Sequence, residues 1–154
     1  MIQRRLSSLL LIAAAAFAGA VHADGRLAIE DAWIRAAPPG AAMLAGYATL
    51  RNAGDAPLVV RGARSDAFGS VSMHATRIED GVARMREIEA ITLAPGERVV
   101  LEPGGRHLML MRPARELARG AAAAIVFEVG DGASTTTADF IVRDAPGADP
   151  HAGH

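Results

Sequence analysis

The sequence contains neither cysteine nor lysine. Without cysteine no disulfide can staple the fold and no thiolate can hold a metal, so a soft metal ligand in this chain must be a methionine thioether. The same absence excludes a blue-copper electron-transfer site, which needs a cysteine beside two histidines. It also excludes a lipid anchor carried on an N-terminal cysteine, and no membrane anchor is expected. All 16 basic residues are arginine, set against 17 acidic ones. The lack of lysine, with abundant alanine and glycine, reads as a coding bias and carries no functional weight. Nothing in that balance points to nucleic acid. No helical period is sustained, no internal repeat is evident, and no acid/base or nucleophile cluster suggests an enzyme.

What is present begins with MIQRRLSSLLLIAAAAFAGAVHADG. Arg4 and Arg5 precede an apolar run that ends in small residues at Val21, His22 and Ala23, the layout of a secretory signal peptide and too short for a membrane span. Cleavage is expected after Ala23, with Ala20 the weaker alternative. Residues 1–23 would then be a signal peptide delivering a soluble chain to the periplasm. Losing Arg4 and Arg5 shifts the formal charge from −1 to about −3.

From Arg26 onward, short runs rich in β-branched and other apolar residues recur between turn signals. Strands are expected at 27–35, 43–51, 57–63, 71–78, 82–88, 98–101, 107–111, 121–129 and 135–142. Pro38-Pro39-Gly40, Asn52-Ala53-Gly54-Asp55, Asp80-Gly81, Ala94-Pro95-Gly96, Pro103-Gly104-Gly105 and Gly130-Asp131-Gly132 supply the punctuation. Strands at this spacing predict an all-β sandwich or barrel. Only 114–120 (ARELARG) looks briefly helical. The folded domain is expected over 24–143, followed by a mobile tail, 144–154, poor in apolar residues.

The chemistry concentrates in two places. In RHLMLM, His107, Met109 and Met111 share one face of a strand while Leu108 and Leu110 share the other. In SVSMHATRIEDGVARMREI, a tight Asp80-Gly81 turn pairs Glu79 with Val82, Thr76 with Met85 and His74 with Glu87. His74 and Met85 are then diagonal neighbours on one face, whereas a one-residue slip would separate them. Two imidazoles and two thioethers form a soft, neutral donor set. Zinc takes thiolate, imidazole or carboxylate, and calcium takes oxygen. Copper as Cu(I) is the metal these donors select, and its binding and release is the simplest use of them.

His74, ten residues, Met85, twenty-one residues, His107, one residue, Met109 resembles the H-x10-M-x21-H-x-M pattern of the periplasmic PCu(A)C-type copper chaperones. Such a four-point match would arise by chance in roughly one chain in several thousand. The segments DAWIRAAPPGAAMLAGYATLRNAGD, EDGVARM and EPGGRHLMLM resemble the family as well, extending the likeness over most of Asp31 to Phe140. One departure is visible: many members carry a methionine after the first histidine, where this chain has Ala75. Met73 precedes His74 instead and should face the other way. The resemblance implies a single-domain, cupredoxin-like β-sandwich of Greek-key type and a non-enzymatic function, carrying Cu(I) in the periplasm. It assigns His74, Met85, His107 and Met109 as the metal ligands. It implies an acceptor partner: the cytochrome c oxidase subunit with the binuclear copper site, or a Sco-type protein.

The remaining candidates take lesser roles. Met111 is expected to pack beside the ligands, Met43 to belong to the core or the site rim, and Trp33 and Tyr47 to be core aromatics. Copper tolerance or storage without oxidase assembly, a copper-dependent oxidoreductase, and a metal-independent adhesion domain are the competing functions. His151 and His154 in the acidic tail form a candidate weak Cu(II) site. Deleting Pro150 to His154 is expected to lower Cu(II) stoichiometry in a competition titration, and unchanged stoichiometry and affinity would remove the tail from copper chemistry.

Overall fold

The structure, a computed structural model, describes residues 26–146. The expected signal peptide and the tail histidines His151 and His154 lie outside the described residues. Ten strands form, with no helix among the described residues: β1 (Leu27–Arg35), β2 (Met43–Asn52), β3 (Leu58–Arg64), β4 (Phe68–Glu79), β5 (Val82–Glu87), β6 (Ile91–Leu93), β7 (Arg98–Leu101), β8 (Arg106–Pro113), β9 (Ala122–Val129) and β10 (Ser134–Arg143). Their hydrogen-bonded order is β5-β4-β8-β7-β2-β1-β10-β9-β3-β6, with β8 also pairing β2. Only β1–β10 and β7–β8 run parallel.

Alternation of apolar and polar residues drives the closure. Leu50 of β2, Leu108 and Leu110 of β8, Ile125 and Phe127 of β9, and Phe140 of β10 are all fully buried in one core. The ladder therefore folds over on itself, bringing β3 near one end of the order against β4 near the other. That two-layered, cupredoxin-like sandwich buries one face of each strand, and a buried leucine or phenylalanine contributes about 1.5–3 kcal/mol. The Phe127 and Phe140 rings stack with centroids 6.2 Å apart.

The β4–β5 hairpin turns at Asp80 and Gly81, whose φ angles of 53° and 75° are both positive. That is the type I′ signature, and it matches the right-handed twist of the flanking strands. The register expected from the sequence is the one observed: His74 opposite Glu87, Thr76 opposite Met85, Glu79 opposite Val82.

β2 changes partner midway. Met43 to Gly46 pair with β8, whereas Ala48 to Arg51 pair with β7. Gly46 permits the first of these approaches, since a Cβ there would stand 3.3 Å from Leu110 Cδ1 and 3.4 Å from Leu108 Cβ. At the switch, Tyr47 and Gly104 of the turn that joins β7 to β8 line one cavity. Nearby on the outer surface, Glu30 joins three strands by pairing with Arg51 at 2.7 Å and with Arg98. The Arg51 hydrogen bond, aided by Arg98, holds the Glu30 carboxyl below its ordinary value.

Three expectations need correcting. The segment 114–120 is not helical. The Ala114 N–H bonds the Ala67 carbonyl at 2.9 Å, the Gly120 N–H bonds the Val142 carbonyl at 2.8 Å, and Leu117 is buried. One isolated turn is an expensive nucleus, and these contacts with neighbouring strands satisfy the segment instead. β6, absent from the expected strands, is only three residues long but inserts Ile91 and Leu93 into the core beside β3. Trp33 and Tyr47 are buried, yet outside the main core cluster. Ile34 takes the inward place on β1, so Trp33 stacks on Tyr47 across the other face, centroids 4.6 Å apart, beneath the Arg143 guanidinium.

Asn52 is the one fully buried polar side chain among the described residues. Its Nδ2 donates to the Ala56 and Leu93 carbonyls at 2.7 and 3.1 Å, and its Oδ1 accepts from the Gly54 N–H at 2.9 Å. Asn52→Ala is expected to destabilise the fold by about 2–4 kcal/mol through the unpaired groups it leaves. Urea unfolding followed by tryptophan fluorescence checks this, and a loss below 1 kcal/mol, well short of that range, would show the bonds to be dispensable.

Candidate metal centre

The site is built on β8, which sits between β4 and β2. Leu108 and Leu110 face inward and are fully buried, so the pleat sends His107, Met109 and Met111 outward. On one side β4 sets His74 opposite His107 and Ser72 opposite Met109. On the other, β2 sets Ala45 opposite Met109 and Met43 opposite Met111. Met73, one residue from His74, is buried in the core.

A cleft of about 200 Å³ opens on this face, lined by Met43, Ala45, Tyr47, Thr76, Met85, Gly104, His107 and Met109, with Leu44 at its base. Three of the four expected ligands therefore meet in one cavity. His74 is not on its wall but lies beside His107, ring centroids 5.9 Å apart and planes inclined at 23°. Met85 is half exposed, on a strand whose every residue is exposed. His107 by contrast is 8% exposed. One wall of the site is thus fixed and the other is accessible.

The hydrogen bonds define the imidazoles. His107 Nδ1 lies 3.2 Å from the Gly105 carbonyl, which can only accept, so Nδ1 carries the proton and Nε2 keeps a free lone pair. His74 Nε2 lies 2.9 Å from Ser72 Oγ, while its Nδ1 is buried without any partner. Leaving a buried nitrogen unpaired costs about 1–3 kcal/mol. A Lewis acid accepting that lone pair would recover the loss, so this atom fits metal binding. Among the described residues no three His, Cys, Asp or Glu side chains form a metal-holding group. The donors on offer, imidazole nitrogens and thioether sulfurs, suit Cu(I) rather than Zn(II) or Ca(II).

The model of the family described as "Putative lipoprotein LpqE-like" matches residues 27–142. The chain belongs to the LpqE-like family. A Leifsonia xyli subsp. xyli protein with the same lipoprotein description, Lxx21020, is 33% identical over 128 residues, covering 82% of this chain and 75% of the relative. Among solved structures, the copper-bound PCuAC domain from PmoF2 superposes with a TM-score of 0.64 at 28% identity, covering 79% of this chain and 95% of that one. The solution structure of Cu(I)-DR1885 from Deinococcus radiodurans gives 0.60 at 26%, covering 82% and 83%. The resemblance to PCu(A)C-type proteins drawn from the sequence motif holds for family and fold.

In this LpqE-like chain, sequence reasoning missed the groups that orient the imidazoles. Ser72 lies two residues before His74, where any strand residue would share its face, and that spacing was a usable signal. The Gly105 carbonyl and the Tyr47 wall had none, because they depend on where the β7–β8 turn settles against β2. The hydrogen bonds predict that His107 in the metal-free protein is the Nδ1–H tautomer, readable from its ring nitrogen shifts by NMR at neutral pH. Ser72→Ala is expected to change the His74 ring shifts while leaving those of His107 in place. Equal Nδ1 and Nε2 character at His107 would contradict this arrangement.

Proposed function

We propose that this protein is an extracytoplasmic copper chaperone that binds one Cu(I) through His74, Met85, His107 and Met109 and passes it to an acceptor. The observation that carries the reading is the convergence of Met85, His107 and Met109 on one cleft, with the His74 imidazole, its Nδ1 unpartnered, beside His107. The copper-bound and Cu(I)-bound relatives support the choice of metal. The lipoprotein descriptions of the family and of Lxx21020 support a location outside the cytoplasm. In this reading residues 1–23 are the signal peptide and the compartment is the periplasm.

The donors explain how holding and releasing can coexist. Four neutral ligands leave the complex with the ion's single positive charge and satisfy its preference for soft atoms. A cysteine thiolate on an acceptor is anionic and softer, so transfer to it runs downhill. Met85, on the exposed edge strand, is the ligand an incoming thiolate can displace first, while His107 and Met109 stay anchored by the leucines between and beyond them. The chain contributes no thiol that could oxidise or trap the ion. The preferred acceptor is the binuclear copper site of cytochrome c oxidase or a Sco-type protein.

Anaerobic titration with Cu(I) is expected to saturate near one ion, with X-ray absorption showing both sulfur and nitrogen ligands. Met109→Leu and His107→Ala should each weaken binding by at least about tenfold. Met109→Leu should change fold stability by less than about 1.5 kcal/mol, because the swap conserves volume. A spectrum with nitrogen and oxygen ligands alone would sink the assignment. Turnover of reductant and oxygen by the copper-loaded protein would move it to the oxidoreductases.

A further inference from the structure

Four of the five methionines in the described residues surround one face of the sheet, and the fifth, Met73, is in the core. Two of those four, Met85 and Met109, are assigned above. Neither of the other two belongs to the core cluster: Met111 is partly buried and Met43 half exposed. Met43 stands opposite Met111 in the β2–β8 ladder, so their side chains project from the same face and their Cβ atoms lie within about 5.5 Å. Leu44 and Leu110, next to each in sequence and likewise paired, fill the core on the opposite face. Met43 is 49% exposed, although it lines the same cleft as Met85, His107 and Met109.

We infer that Met43 and Met111 form a second station for a soft monovalent cation, Cu(I) or Ag(I), held between two thioethers beside the cleft on the side away from the imidazoles. Directly opposed cross-strand residues with long, flexible side chains can bring two sulfur atoms onto one ion, and Cu(I) accepts low coordination numbers. Thioethers select such an ion over Zn(II) or Ca(II). Met109 lies two residues from Met111 and diagonally across from Met43, so an ion can pass between the stations by exchanging one sulfur for another. The second station is the weaker. It has no imidazole, and the Arg112 guanidinium reaches Ser70 Oγ, opposite Met111, placing a positive charge nearby. This inference rests on the proposed function for its biological use, but not for its existence, since it involves none of the four assigned ligands.

The test is a titration of the full chain, labelled with 13C at the methionine methyl groups, with Ag(I) as a redox-inert probe. The first equivalent is expected to shift Met85 and Met109, and a second, weaker step to shift Met43 and Met111. The volume-conserving double variant Met43→Leu/Met111→Leu should lose the second step and keep the first. The inference is overturned if the Met43 and Met111 signals do not move by three equivalents, or if the second step survives in the double variant. Failure of Met85 and Met109 to respond while Met43 and Met111 shift would instead overturn the four-ligand assignment and leave this station standing.

Discussion

The pleat of β8 between its two neighbours is the constraint from which the site follows. Leu108 and Leu110 are locked into the core, and the alternate residues His107, Met109 and Met111 must then share the opposite face. Because β4 flanks this strand over its length and β2 flanks Leu108 to Met111, the same constraint aligns His74 with His107, Ser72 with Met109, and Met43 with Met111. A slip of one residue in β8 would bury the polar and sulfur-bearing side chains and expose the leucines, losing several side chains' worth of burial at about 1.5–3 kcal/mol each. Core packing thus sets the register on which the geometry of the cleft depends.

Rigidity and access are divided between the two hairpin arms. β4 is held by β8, and His107 is nearly sealed from solvent with its proton committed to Gly105. β5 pairs with β4 alone and leaves the sheet as an exposed edge carrying Met85. In the proposed function this asymmetry lets firm donors set selectivity while a ligand on a peripheral strand begins the exchange with an acceptor. Tyr47, backed by Trp33 stacked on it, lines the cleft on the β2 side. The buried Tyr47 ring gives the cavity an apolar wall, which disfavours a strongly hydrated ion.

Membership of the LpqE-like family and superposition on PCuAC domains settle the architecture. Ala75 follows His74 in the motif, and Met43 and Met111 set two thioethers on the opposite flank. Sulfur is therefore placed on the β2 side of the cleft rather than beside the first histidine.

The sequence by itself determined whatever depends on local geometry. Period-two alternation assigned His107, Met109 and Met111 to one face, and the Asp80-Gly81 turn specified the β4–β5 register through two positive φ angles. Cysteine's absence restricted soft ligation to methionine. Only the tertiary structure decided what depends on pairing between distant segments. The β4–β8 ladder brought the two imidazoles together, and the partner switch in β2 opened the cleft at Tyr47. The same long-range contacts held 114–120 out of a helix, made a strand of Ile91–Leu93, and turned Trp33 away from the core. Spacing along a chain fixes which side of a strand a residue occupies, but the neighbour across that strand is chosen by the packing of the whole sandwich.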